Sequence, residues 1–207
     1  MRTIACLVIL LLALTGCTTE LQTSVPEKKD EPTEITLTPV ELFKGEEAKY
    51  KPFLGNMCGA FKLSYKGNKP NANLDIDIWK NGEKVESSGS LGDLFFSSEN
   101  LESTEIEIII SIDTISMEGQ DDVNQVKVSK MNGSGSSTAI YTIPRDKELI
   151  TRGLLNNPNV LTFTTENSVP LWGMQSTSGN YISGGDLSTE SLIKLEHAII
   201  FTLRFED

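Results

Sequence analysis

Glu105-Ile106-Glu107-Ile108-Ile109-Ile110-Ser111-Ile112-Asp113 is the stretch that decides the fold. Ile106, Ile108, Ile110 and Ile112 recur at every second position, opposed by Glu105, Glu107, Ser111 and Asp113. Successive side chains of a strand point to opposite faces, so this period places four isoleucines on one face and polar groups on the other. A helix would scatter the same four around its circumference. β-branched side chains also favour an extended backbone. The stretch therefore predicts a strand with one buried face.

The same alternation runs outward in both directions. Phe61, Leu63 and Tyr65 alternate with Lys62 and Ser64, and Leu74, Ile76 and Ile78 alternate with Asp75 and Asp77. Asn81-Gly82 reads as a tight hairpin turn into a strand over Glu83–Glu86. Val126/Val128, Tyr141/Ile143, Leu161/Phe163 and Phe201/Leu203/Phe205 continue the pattern. Near the start, Ile35 and Leu37 share one parity and Val40 and Leu42 the other. Pro39 sits at the switch, which predicts an edge strand with a break or bulge there. Helical signal is thin. Residues 146–152, stopped by Gly153, read as a short helix or an irregular crossover, and residues 189–196 as a second short helix, capped by Asp186 or Ser188. Short strands separated by Gly, Asn, Ser and Pro predict an all-β fold, an antiparallel β-sandwich of Ig-like or jelly-roll-like kind. No composition shift divides residues 35–207, so they predict a single domain.

The N-terminus differs from all of this. Arg2 is followed by an apolar run from Ile4 to Leu14, about 11 residues where a membrane-spanning helix needs about 20. That is the length of an export signal. Leu14-Thr15-Gly16-Cys17 then places an aliphatic residue and two small ones before a cysteine. This resembles the lipobox of bacterial lipoproteins. The resemblance implies cleavage before Cys17 and a diacylglycerol on its sulfur. It also implies anchorage on the outer side of the cell membrane, or at the outer membrane if the cell has two. Residues 1–16 are then a removed signal peptide. Residues 17–34, charged, bearing Pro26 and Pro32 and free of aromatics, read as a lipidated flexible tether.

The formal charge is -11, and Arg2 is the only charged residue in the signal peptide, so the mature chain is one unit more acidic. Such a domain is repelled by phosphate backbones, which argues against nucleic acid as a partner. Cys58 is the one cysteine left in the predicted domain, which rules out an internal disulfide there. It opens an apolar stretch and reads as a structural thiol. His197, the chain's single histidine, shares parity with Ile199, Phe201, Leu203 and Phe205 and reads as a satisfied side chain at the core margin.

These residues predict no catalytic set, no metal centre and no cofactor. One histidine and one available cysteine cannot assemble a zinc site, and no Gly-x-Ser-x-Gly elbow or phosphate loop is present. Asp75/Asp77 and Glu105/Glu107 suit a two-carboxylate hydrolase by residue type, yet their alternation with core positions reads as a solvated strand face. Glu118, Asp121 and Asp122 supply hard oxygens from one loop, without the order of a calcium loop. The stretch Val169–Leu187 stands apart, with Trp172, Met174 and Tyr181 among many Gly and Ser. Rigid aromatic area in a polar loop suits recognition, so Trp172 and Tyr181 are the predicted ligand-binding residues. Trp79, on the parity of Asp75 and Asp77, adds to that hint. The expected function is non-catalytic binding of an envelope glycan, an exported protein or a small solute. The alternatives are an assembly or regulatory lipoprotein of a membrane complex and a carboxylate-based hydrolase.

Overall fold

The computed structural model describes residues 32–96, 104–116, 118–133, 135–182 and 184–206. The predicted export signal, Cys17 and the predicted tether up to residue 31 lie outside the described residues. Two antiparallel sheets pack face to face as a β-sandwich, as the alternation predicts.

Sheet A holds β7 (Gly135–Pro144), β6 (Val123–Asn132), β5 (Glu105–Ile115), β2 (Cys58–Lys66), β1 (Glu34–Val40) and β9 (Leu161–Thr164), in that order across the sheet. Sheet B holds β4 (Glu83–Leu91), β3 (Asn71–Lys80), β11 (His197–Glu206), β10 (Val169–Thr177) and β8 (Thr151–Asn156). The core lies between them. Ile106, Ile108, Ile110 and Ile112 of β5 meet Leu74, Ile76, Ile78, Phe201 and Leu203 of sheet B, and all are buried. One flank is held by Tyr141 of the edge strand β7. Its hydroxyl donates to the carbonyl of Ser90 in β4 at 2.8 Å, and its ring lies against Gly89.

Sheet B is covered over part of its outer face as well. Segment 178–196 folds over its outer side, and Leu187, Leu192 and Leu195 pack with Trp79, Leu155, Ala198 and Ile200 in a second small core. Trp79 is therefore covered by this segment, which explains its odd parity. The segment carries α2 (Thr189–Leu192), capped by the Ser188 hydroxyl accepting from Ser191 N–H at 3.3 Å. The β3–β4 hairpin turns at Asn81 (φ 50°) and Gly82 (φ 80°), both left-handed as a two-residue turn of this kind requires. Its tip docks on the cover through Asn81 N–H to the Glu196 carbonyl at 2.8 Å. Side-chain space at Gly82 is already filled by the Ile193 carbonyl.

Of the two readings of residues 146–152, the irregular crossover is the one found: residues 146–150 carry no helix, β8 begins at Thr151 and Gly153 lies within a strand. Two local expectations are corrected. β1 runs unbroken through Pro39 in register with β2, and its Glu34–Leu37 half is flanked on the other side by β9. Only Thr38–Val40 is an edge. Finally, Val169–Thr177 is an interior strand of sheet B and not a loop. A 3-10 turn over Gly45–Tyr50 and α1 (Lys51–Leu54) interrupt the path from β1 to β2. Neither shows a helical apolar period, and Pro52 enters α1 at its first turn.

Candidate functional site

β9 pairs with β1 only as far as the Leu37–Leu161 pair. Beyond it, Thr38–Val40 has no second strand among the described residues, and a cleft of about 330 Å³ opens between the sheets on this flank. Leu37 and Phe61 line it from sheet A, and Leu154, Leu171 and Trp172 from sheet B. Glu41 and Asn156 bring polar groups to it. Asn156 is the cross-strand partner of Trp172.

Trp172 occupies this position because β10 shifts register between Pro170 and Trp172. Such a bulge turns two successive side chains towards the same face, and both Leu171 and Trp172 enter the core. The indole packs edge-on against Phe201, with ring centroids 5.4 Å apart at 61°. Opposite, Gly59 of β2 leaves the space the indole fills. Trp172 is only 3% exposed, so its ring face is no platform for stacking a sugar. Tyr181 is 82% exposed and lines a separate depression with Gln175, Ile182 and Lys194. The two aromatics proposed as one recognition surface therefore lie in different places.

The β1–β2 excursion brings one further aromatic to the cleft. Phe43 lines the cleft, with the Lys51 ammonium 5.8 Å from its ring centroid. Tyr50 and Phe53 are exposed, Phe53 at 83%, as is Val160 in the loop beside the cleft. Sequence reasoning passed over this segment. The signal was the one applied to Val169–Leu187: three aromatics (Phe43, Tyr50, Phe53) outside any alternating pattern, here among Lys and Glu.

Cys58 also lines the cleft wall. Its thiol is buried and donates to the Gly55 carbonyl at 3.3 Å. Burial, reinforced by the charge of Asp113, pushes its pKa up, so it remains a protonated, weakly nucleophilic thiol. That agrees with a structural role.

A second cleft, of about 450 Å³, lies at the end of the sandwich where β3, β7 and β11 meet. His197 lines it as the first residue of β11, on the parity read from sequence. Its Nδ1 is buried without a hydrogen-bond partner among the described residues, so the imidazole is not satisfied as expected. The Arg145 Nε, in the same cleft, is in the same condition. Such a buried group costs about 1–3 kcal/mol. Burial and the neighbouring charge of Lys80 lower the His197 pKa, with Arg152 adding to this, against the opposing pull of Asp146 and Glu196. The ring is neutral at pH 7.

The carboxylates of the two sequence pairs differ in their surroundings. Asp77 is buried on the outer face of sheet B and not solvated: Lys84 Nζ lies 2.7 Å away, Arg204 Nη2 3.1 Å, and the Ser87 hydroxyl donates at 2.7 Å. Burial pushes its pKa up, but hydrogen bonds from Lys84, Ser87 and Thr202 outweigh this and hold it low. Asp75 joins through Arg204 and Ser90. Glu105 pairs with Lys62 at 2.9 Å. Asp121 and Asp122 pair with Lys147 and Arg145, each at 3.0 Å, and no cluster of three potential metal ligands occurs among the described residues.

Comparison of the chain with protein-family models, with curated proteins and with solved structures finds no match in any of the three.

Proposed function

We propose that the chain is an exported, lipid-anchored protein whose sandwich domain works by binding and not by catalysis, and that it holds an extended apolar segment of another exported protein. The observation that carries this reading is the flank cleft beside the uncovered end of β1. An open strand edge offers backbone hydrogen bonds to an extended chain, and a neighbouring apolar recess accepts one of its side chains. Phe61, Trp172 and Leu154 line that recess, and Phe43 adds an aromatic ring to its lining. Glu41 and the acidic balance of the chain favour a segment with lysine or arginine beside its anchor residue.

Of the ligands considered from sequence, an envelope glycan gains least, because the buried Trp172 offers no stacking face. The hydrolase reading also loses ground. A general acid needs a raised pKa. Among the described residues, the carboxylates that shift, Asp77, Asp186 and Glu196, all move down, Asp186 to about 2 through hydrogen bonds from Ser188 and Ser191.

Photo-crosslinking in living cells tests the proposal. A benzophenone amino acid is placed at Val160, beside the cleft, or at Ile140, on the opposite flank; the two are exposed to 59% and 60%. A discrete adduct with one exported protein from position 160, absent from 140, is expected. Its identity separates a free exported partner from a subunit of a membrane complex. Equal adducts from both positions, or none from 160, would overturn the reading.

A further inference from the structure

We propose that the cleft around His197 is a second binding site, for a free α-amino acid with an apolar side chain. It shares no lining residue with the flank cleft and stands independently of it. Lys80 from β3 and Glu86 from β4, the latter opposite Ile78 in the sheet, both line it and both are exposed. Among the described residues neither has an ion pair or a hydrogen bond through its side chain, whereas the other charged groups are committed. Arg145 holds Asp122, Asp146 accepts the Glu148 N–H, and Glu196 accepts from Thr177 and Ser178.

One uncommitted ammonium and one uncommitted carboxylate in the lining of one cleft select the ligand charge. A simple anion would face Glu86, Asp146 and Glu196, and a simple cation would face Lys80 and Arg145. A zwitterion meets both, its carboxylate on Lys80 and its ammonium on Glu86. The two partnerless nitrogens, His197 Nδ1 and Arg145 Nε, lie in the same walls. Small side-chain rotations on binding would give them partners. Ile78, Ile143 and Leu149 supply an apolar wall for a side chain. A neutral sugar would satisfy hydrogen bonds but leave both uncommitted charges uncompensated. The cleft volume falls within the range of small-ligand sites, about 300–1,000 Å³.

His197 is the single histidine of the chain, so its imidazole protons give one unambiguous pair of NMR signals. The full chain is titrated with L-leucine, then with 4-methylpentanoate, which lacks the ammonium, 3-methylbutylamine, which lacks the carboxylate, and glucose. The expected result is a saturable shift of the His197 signals with leucine and binding at least about tenfold weaker for either one-charge analogue. Lys80→Met and Glu86→Gln, both on the exposed rim, should each weaken leucine by about tenfold without disturbing the rest of the spectrum. Signals unmoved by millimolar leucine would overturn the proposal. So would analogues or glucose binding as well as leucine, or rim variants that bind like wild type.

Discussion

Gly59 of β2 and Trp172 of β10 face each other across the core so closely that a methyl group on Gly59 would overlap the indole nitrogen. The glycine is thus needed for what it lacks. Gly59→Ala should destabilise the domain by about 1–3 kcal/mol through overpacking. Trp172→Ala should cost about 3–5 kcal/mol as a core truncation. Combined, the two should cost less than their sum, because the second removes what the first collides with. Denaturant melts of the four proteins measure this; additive losses would mean the two side-chain positions do not interact.

Asp77 predicts an acid sensitivity of defined sign. Its carboxyl is held below the ordinary value of 3.8, so its contribution is present above that pH and is lost as pH falls through the lowered folded-state value. Asp77→Asn should cost about 1–3 kcal/mol at neutral pH, since Lys84 loses its buried counter-charge while Arg204 keeps only Asp75 among the described residues. It should also flatten the fall in stability below about pH 4. Melts between pH 7 and pH 2 of both proteins would show it.

His197 should titrate below the ordinary histidine value of 6.5. Because the folded state disfavours the charged ring, the contribution of this residue is full above that value and declines as pH falls below it. An NMR titration of the one imidazole measures the pKa directly. A midpoint at or above 6.5 would contradict the burial and the Lys80 contact described for it.

Cys17→Ser should abolish lipid attachment and leave the protein uncut or released from membranes. Labelled fatty acid tests this: incorporation into the serine variant would refute the proposed site.

The isoleucine stretch and its neighbours made the sandwich legible, because alternation is a local property that one-sided burial writes directly into the chain. Ile110, buried as predicted, and the Asn81-Gly82 turn are of this kind. What failed was non-local. β10 is buried on both faces, so its row Leu171 to Ser176 carries no alternation, and Gly173 within it made an interior strand resemble a loop. Asp77 kept the spacing of a solvated face, yet Lys84 and Arg204, the latter 127 positions away, bury it. The apolar cover over sheet B was unreadable for the same reason. The site was less legible still. Tyr181 and Trp172 are nine positions apart in sequence, but the bulge at Leu171 sends one inward while the other stays in solvent.

The place of β11 has a consequence for how the domain can be made. This strand follows every other in the chain, yet it sits in the middle of sheet B, zipped to β3 on one side and β10 on the other. Synthesis delivers the chain from its N-terminus. Until residues 197–206 arrive, β3 and β10 have no common neighbour and the interior faces of Ile76, Ile78 and Met174 stay wet. Sheet B cannot assemble progressively as it emerges; it closes in one late step. Loss of the final ten residues of that strand would not trim the domain but divide it. A frameshift or a protease cut there should be as damaging as one in the first strand.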